Sequence, residues 1–484
     1  MKSNKNNVKL SQLILNKKNY PRKGIDYDRV NQYVDCINEG DRFPDIQVIH
    51  NQNNNLTKQD TNQYEVIDGA HRLKAFQKLG FETIEVEILI TDEDPLFLAA
   101  ERTGNTKELS PSEACDVAKR LYINNPDRNI KDIAKAVKRS VRSVQGYLKS
   151  LIAEYEQTRE IKLIKMKQLG IPFDRIAKRL GYADSSSVRK HFDIMDTQRL
   201  FNNIISDYAK GFDPPKLSEK YSLSLPLIFN VILKEKSDKE RFKELNWGLR
   251  TWDLWNFNDC DYRFGDDWPG RIPGQLVAHI LFFCSKDNPS NPMLILDPMA
   301  GGGVVPDICL AFNRKCWSFD GVNRVDERPE IENFVWNVPM TFPFKSKQKP
   351  DLIIFDPPYF NKKDNEYSEK LKNSISCLSR ADYLNWFDEW FIKAKELSKK
   401  GTILAFLHSD WRDFQNTSFM DEDDSQLISQ HHFISLMIKA GWSIKGIIDC
   451  PLSSERFQAG MISHMQEKRI LGVIRRNLII ALLK

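Results

Sequence analysis

A multidomain chain is predicted, with an α+β N-terminal block, an all-α helix-turn-helix middle and an α/β doubly wound C-terminal block. Three observations carry this prediction. The 484 residues exceed what one hydrophobic core ordinarily organises. The period of the apolar residues changes near Leu109 and again near Glu240. Beyond Trp247 short apolar strands alternate with helices, the grammar of a parallel sheet. The boundaries read 1–109, 110–240 and 241–484.

In the first block, IQVIH (46–50), YEVI (64–67) and IEVEILI (84–90) read as strands among amphipathic helices. Between the first two, 51–62 is a polar, Asn-rich loop. In VIDGAHRLKAFQKLG (66–80) a strand ends in Asp-Gly and a helix follows. Amides at a helix start plus a guanidinium make an anion site, which singles out Gly69, His71 and Arg72. The plainer alternative is that Arg72 holds a DNA phosphate or a structural carboxylate.

The middle block loses strand signals, and one pattern of short helix, turn and second helix recurs at 129–148, 171–192 and 213–233. Residues 129–150 carry Lys131, Lys135, Lys138, Arg139, Arg142 and Lys149 against Asp132. A basic face of this kind suits phosphates, so Lys138, Arg139, Arg142 and, in the second unit, Arg179 and Arg189 are candidate DNA contacts. A helical bundle whose charges merely solvate its surface is the alternative.

Composition excludes several classes. With 41% hydrophobic and 28% charged residues the chain is neither disordered nor membrane-like, and its net charge of +5 alone implies no partner. The eight cysteines are scattered without zinc-ligand spacing and read as reduced core thiols; no metal is expected. No signal-like or membrane-length apolar run occurs, so a cytoplasmic protein without membrane contact is expected.

In the last block the expected strands are LILD (294–297), CWSFD (316–320), LIIFD (352–356), TILAFL (402–407), GIID (446–449) and LIIALL (478–483). Asp297 ends the first of these, and Pro298 and the glycines Gly301, Gly302 and Gly303 follow where a backbone must turn tightly. Asp320 closes the next strand, where a carboxylate can accept from ribose hydroxyls or simply cap a turn. In LIIFDPPYF (352–360), Pro357 and Pro358 cannot continue a strand, so they form a rigid turn that fixes Asp356 and Tyr359. An exocyclic base amine is a poor nucleophile because its lone pair is delocalised. Acceptors on its N–H groups, here the Asp356 carboxylate and the Pro357 carbonyl, localise that pair, and the Tyr359 ring can stack on an extruded base.

These motifs resemble the DNA amino-methyltransferases, with their Asp-Pro-x-x-Gly-x-Gly and Asp-Pro-Pro-Tyr signatures, over Trp247 to Lys484. The resemblance implies a Rossmann-like fold and S-adenosylmethionine as cofactor. Asp297, Pro298, Gly301 and Gly303 would cradle the donor and Asp320 its ribose, while Asp356 to Tyr359 would hold the target base. WPGRIPGQLVAHIL (268–281) resembles the helical motif beside the donor's methionyl end. Val304 and Val305 depart from the Thr-Thr of many relatives. Asp-Pro-Pro-Tyr resembles adenine-N6 more than cytosine-N4 enzymes, with RNA and protein amides as rival substrates.

The first block resembles the ParB-like/sulfiredoxin-like fold through Gly69, Arg72 and Ala75, with NYPRKGID (19–26) and RTGNTKELSPSEA (102–114) as flanking matches. Ala70 stands where a sulfiredoxin has its Cys. A nucleotide at this domain and a homodimer through it or the helical region stay open, and double-stranded DNA is the expected partner. A nucleotide-gated DNA-binding protein with an inactive methyltransferase fold is the rival from another class. A fragment starting near Lys243 is expected to fold and bind the donor.

Overall fold

The structure, a computed structural model, describes residues 2–50, 63–103, 108–288, 291–334, 348–360, 374–412, 427–453, 459–469 and 471–484. The Asn-rich loop read at 51–62 lies outside them, as do residues 104–107 of the second flanking match. The chain forms two compact units, residues 1–158 and 159–484. Among the described residues no helix is long and apolar enough to cross a membrane.

The first unit is built on a mixed sheet of β1 (Lys2–Lys9), β2 (Leu13–Ile14), β3 (Ile46–His50), β4 (Tyr64–Asp68) and β5 (Thr83–Ile90), in the order β1-β5-β3-β4-β2. The three strands read from the sequence are its centre. The edge strand β1 was not expected, because KSNKNNVK has no apolar alternation and Val8 is its buried hydrophobic. Helix α1 (Tyr27–Asn38) precedes β3, and α2 (Ala70–Lys78) leaves β4 through Gly69 at φ +98°. A second core joins Leu96 of α3 (Pro95–Thr103), Val117 and Leu121 of α4 (Pro111–Asn124), Ile133 of α5 (Ile130–Ala136) and Val144 of α6 (Val141–Gln168). Helix α4 starts on a capping box in which Ser110 and Glu113 satisfy each other's amides, with Pro111 in the first turn. Helices α5 and α6 are the first expected pair, but their lengths are unequal: α6 has 28 residues and α5 has 7.

The second unit holds α7 (Phe173–Leu180), α8 (Ser185–Ile194), α9 (Thr197–Ala209), α10 (Pro214–Tyr221), α11 (Leu225–Ile232), α12 (Asp238–Glu244) and α13 (Gly274–Cys284), followed by a seven-stranded sheet. Its strands are β6 (Leu294–Asp297), β7 (Lys315–Asp320), β8 (Ile331–Asn333), β9 (Leu352–Phe355), β10 (Ile403–Ser409), β13 (Trp442–Asp449) and β14 (Arg476–Leu483). The short pair β11 (Trp411–Arg412) and β12 (Leu427–Ile428) stands apart. The order is β13-β14-β10-β9-β6-β7-β8, parallel from β8 to β10, whereas β14 runs antiparallel to both its neighbours. The sheet is therefore mixed rather than purely parallel. Strand order reverses between β6 and β9, and in open α/β sheets ligands bind at the carboxyl ends of strands at such a switch point.

The helices before the sheet are part of its core. Leu163, Ile176, Val188, Leu217 and Leu227 belong to the same buried cluster as Ile295, Ile308 and Phe355. Helix α11, the second helix of the third expected unit, is buried from Pro226 to Ile232, and Asn230 donates to the Leu310 carbonyl of α14 (Val304–Ala311) at 2.8 Å. The second helix of that unit is therefore part of the core, while α10 buries Leu217 and leaves Lys216 and Lys220 exposed. A fragment beginning near Lys243 would lack these helices and leave the side of the core they cover exposed.

The cysteines are free, as expected, but not all are core thiols: Cys284, Cys309, Cys316 and Cys450 are buried, whereas Cys260 and Cys377 are exposed.

Candidate active site

The rim formed by the carboxyl ends of β6, β7 and β9 brings Asp297, Asp320 and Asp356 together, with Pro298 following the first and Pro357 the third. Asp297 is buried, and its Oδ2 has no hydrogen-bond partner among the described residues. Burial, reinforced by the neighbouring Asp320 and Asp356 charges, pushes this carboxyl well above the usual carboxylate range.

Asp320 organises the glycine turn. Its Oδ2 accepts the Gly301 N–H and its Oδ1 the Val322 N–H, each at 2.8 Å. An ionised carboxylate has roughly four acceptor positions, so two remain for a ligand hydroxyl. Gly301 and Gly303 sit at φ +49° and +81°, and this left-handed backbone favours glycine. The turn is approached by the protein itself: a Cβ on Gly301 would lie 3.1 Å from the Trp268 ring, and one on Gly303 2.2 Å from Arg328 Nη2. Arg324 Nη1 donates to Gly301 O at 2.7 Å, the Asp266 N–H to Gly302 O at 2.8 Å and Arg328 Nη2 to Gly303 O at 3.0 Å.

Sequence reasoning missed this scaffold. Arg328 pairs with Asp307 at 2.9 Å, Glu330 at 2.6 Å and Asp266 at 3.1 Å, while Lys165 of α6 reaches Asp307 and Glu330 at 3.0 and 2.9 Å. The charge-dense stretch 324–330 after β7 was the available signal.

At β9 the two prolines end the strand as expected. The Tyr383 hydroxyl of α15 (Arg380–Leu397) donates to the Pro358 carbonyl at 3.1 Å, fixing the turn. The Pro357 carbonyl has no partner among the described residues. Burial pushes Asp356 up to about 6, against the opposing pull of the Tyr359 hydrogen bond and the Arg476 charge. Tyr359 donates its hydroxyl to Asp356 Oδ1 at 2.7 Å, and its ring lies edge-on to His408 with centroids 6.1 Å apart. The turn thus presents a carboxylate, a carbonyl and an aromatic ring in one place.

The other candidates separate. Arg72 is buried and paired with Asp68 at 2.8 Å, and it also donates to the Pro44 and Asp45 carbonyls. These contacts are of the kind the structural-carboxylate alternative describes. His71 Nε2 accepts the Asp26 N–H at 3.1 Å, and Gly69 would bring a Cβ within 3.0 Å of Ile46. Lys138 and Arg142 are exposed, while Arg139 is half-buried and tied to Glu108 and the Leu109 carbonyl. Arg189 is exposed with its guanidinium 5.6 Å from the Phe173 ring centroid. Arg179 is turned inward, pairing with Glu332 and donating to the Pro329 carbonyl at 2.7 Å. Its guanidinium fastens α7 to the edge of the sheet, which corrects its reading as a DNA contact.

Residues 2–100 match the family model of the ParB N-terminal domain. No curated protein matches the chain. Among solved structures, a C-terminally truncated ParB from Caulobacter crescentus complexed with CTP-gamma-S is 16% identical, covering 39% of this chain and 98% of its own, at a TM-score of 0.19. A putative sarcosine dimethylglycine methyltransferase from Galdieria sulphuraria is 13% identical over 43% of this chain and 84% of its own, at 0.28. A putative RNA methyltransferase from Pyrococcus horikoshii is 15% identical over 51% and 98%, at 0.25.

Proposed function

We propose that this protein transfers a methyl group from S-adenosylmethionine to an exocyclic amino nitrogen in double-stranded DNA, adenine N6, with the ParB N-terminal domain and the exposed basic face around Lys138 and Arg142 engaging the duplex. The observation that carries the reading is the Asp356–Tyr359 turn at the switch point of the sheet, one strand from the Asp297 glycine turn. The residues fit the donor: Asp297 Oδ2 is a buried acceptor lacking a partner among the described residues, and Asp320 keeps acceptor capacity for hydroxyls. When bound, S-adenosylmethionine supplies an electrophilic methyl group.

The chain's own residues do the rest. Asp356, ionised above about pH 6, and the Pro357 carbonyl accept from the amine N–H groups and localise its lone pair for attack. Tyr359 is kept neutral, because burial and the Asp356 charge push its phenol up. Its ring can then stack on the extruded base while its hydroxyl orients the carboxylate.

The test uses full-length protein, donor carrying a tritiated methyl group and a mixture of duplex DNA, RNA and protein, followed by digestion to nucleosides. Label in N6-methyladenine is expected. Label in N4-methylcytosine or in RNA would move the substrate class, and intact donor binding without transfer to any of the three would sink the catalytic reading.

A further inference from the structure

Arg476 opens β14 at the rim of the sheet, opposite Ser409 of β10. On the same strand Phe406 faces Phe355, the residue before Asp356, so Arg476 stands at the rim beyond the level of the catalytic turn. It is only 5% exposed. Its Nε donates to the Cys450 carbonyl at 2.9 Å and its Nη2 to the Phe257 carbonyl at 3.4 Å, while the Cys450 N–H returns a 2.7 Å bond to the Arg476 carbonyl. These partners are neutral, and among the described residues no carboxylate lies within ion-pair distance of the guanidinium. A buried charge without a counter-ion is costly unless an anion nearby balances it.

By register Asp356 follows Phe355, which faces Phe406, and so falls on the same face of the sheet as Arg476. The nearby carboxylates Asp449, opposite Asn477, and Asp410, whose N–H donates to the Arg475 carbonyl, fall at positions of the opposite face. Tyr359 hydrogen-bonds Asp356 from its own turn. Asp297 feels its charge from the end of β6 and Tyr383 from α15, while Cys450, after β13, acts on Tyr359. His408 of β10 faces the Tyr359 ring. Of these groups Arg476 alone carries a permanent positive charge, and it acts on both Asp356 and Tyr359.

The geometry points to Arg476 as the positioning residue of the catalytic turn, a cation fixed by two carbonyls at the sheet rim that keeps Asp356 in its acceptor form. This rests on the methyl-transfer reading. An uncharged carboxyl would present a proton to an amine N–H, and two donors cannot share that bond. Burial drives Asp356 towards that form, up to about 6, and the Arg476 charge opposes it.

The test compares Arg476→Gln, Arg476→Met and Arg476→Lys with the wild type in single-turnover methyl transfer across pH. The same proteins are titrated by infrared difference spectroscopy, with Asp356→Asn identifying the Asp356 carboxyl band. Removing the charge is expected to raise the acidic limb by about one pH unit, so that the rate at pH 6 falls about fivefold, with the loss on kcat rather than KM. The infrared midpoint should move with it, and the Lys variant should move both by less. A folded Gln or Met variant with unchanged limb and midpoint would overturn the assignment. If neither folds, a Lys variant that loses rate equally at every pH overturns it, because that pattern marks a purely structural role. Should the wild type transfer no methyl group, the methyl-transfer reading fails, while the infrared midpoints still decide whether Arg476 governs Asp356.

Discussion

The Tyr359 hydroxyl donates a 2.7 Å hydrogen bond to Asp356 Oδ1, so the ring expected to stack on a base also orients the carboxylate expected to receive its amine. The two roles are separable by substitution. Tyr359→Phe keeps the ring and removes the bond that pulls the Asp356 carboxyl down, so its acidic limb should rise while transfer at pH 8 survives. Tyr359→Ala should lose the stacking contribution as well, about 1–3 kcal/mol, or roughly five- to 150-fold in kcat/KM. Equal rates for the two variants across pH would remove the ring from the reaction.

Asp356→Ala should abolish methyl transfer and leave donor binding nearly intact, because the carboxylate acts on the amine and not on the donor's sulfur. In the wild type, activity needs the ionised form of a group raised to about 6, so the rate should be full above that pH and fall as pH drops through it. Calorimetry of donor binding beside rate measurements checks both statements. A parallel loss of donor affinity in the Ala variant would place Asp356 in the donor pocket instead.

Gly303→Ala tests whether the glycine turn is required by the protein's own packing. The left-handed φ of +81° costs a non-glycine residue about 1–3 kcal/mol. The new Cβ would also lie 2.2 Å from Arg328 Nη2 and would displace a guanidinium held by Asp307 and Glu330. Lower thermal stability together with weaker donor binding is expected. A variant as stable as the wild type would show that Arg328 can move at little cost.

What the sequence revealed follows from which physical signals are one-dimensional. Strands such as LIIF and LILD, buried on both faces, leave unbroken apolar runs, and the two prolines after Asp356 force a turn in any context. The polar strand β1 leaves no such trace, because pairing along one edge of β5 demands little of its side chains. Arg476 escaped for a related reason: its strand was read as starting at Leu478, since a charged residue at a rim has no apolar period. Helical period shows that α7 to α11 have an apolar face, but not which core that face meets, so an array separate from the sheet was expected where the two share one core.

Arg179 illustrates the same limit for charge and yields a stability prediction. A basic residue on a helix reads as solvent-facing until the carboxylate opposite it is known, here Glu332 of β8. Arg179→Ala should destabilise the second unit by about 1–3 kcal/mol, the range for losing hydrogen bonds to a charged group, with Arg175 still available to Glu332. DNA affinity, measured well below the melting temperature, should stay within twofold. A large affinity loss with unchanged melting would return Arg179 to the DNA interface.

The final prediction concerns the basic face of the first helix pair. Each phosphate contact by a Lys or Arg on duplex DNA releases condensed cations and contributes about −0.9 to the slope of log affinity against log salt. Lys138 and Arg142 are exposed, whereas Arg139 is tied to Glu108 and the Leu109 carbonyl, so changing Arg139 would disturb the fold as well as the charge. Lys138→Gln with Arg142→Gln is therefore the cleaner probe. The slope should become shallower by about one to two, according to whether one or both residues touch phosphate. Affinity should fall alike for all sequences if the contacts are to phosphate, and unequally if Arg142 reaches a base edge. Donor binding, which depends on the rim of β6 and β7, should not change. An unaltered slope would make this face solvated surface and direct the search to the exposed Arg189 on α8, where the same measurement on Arg189→Gln would decide.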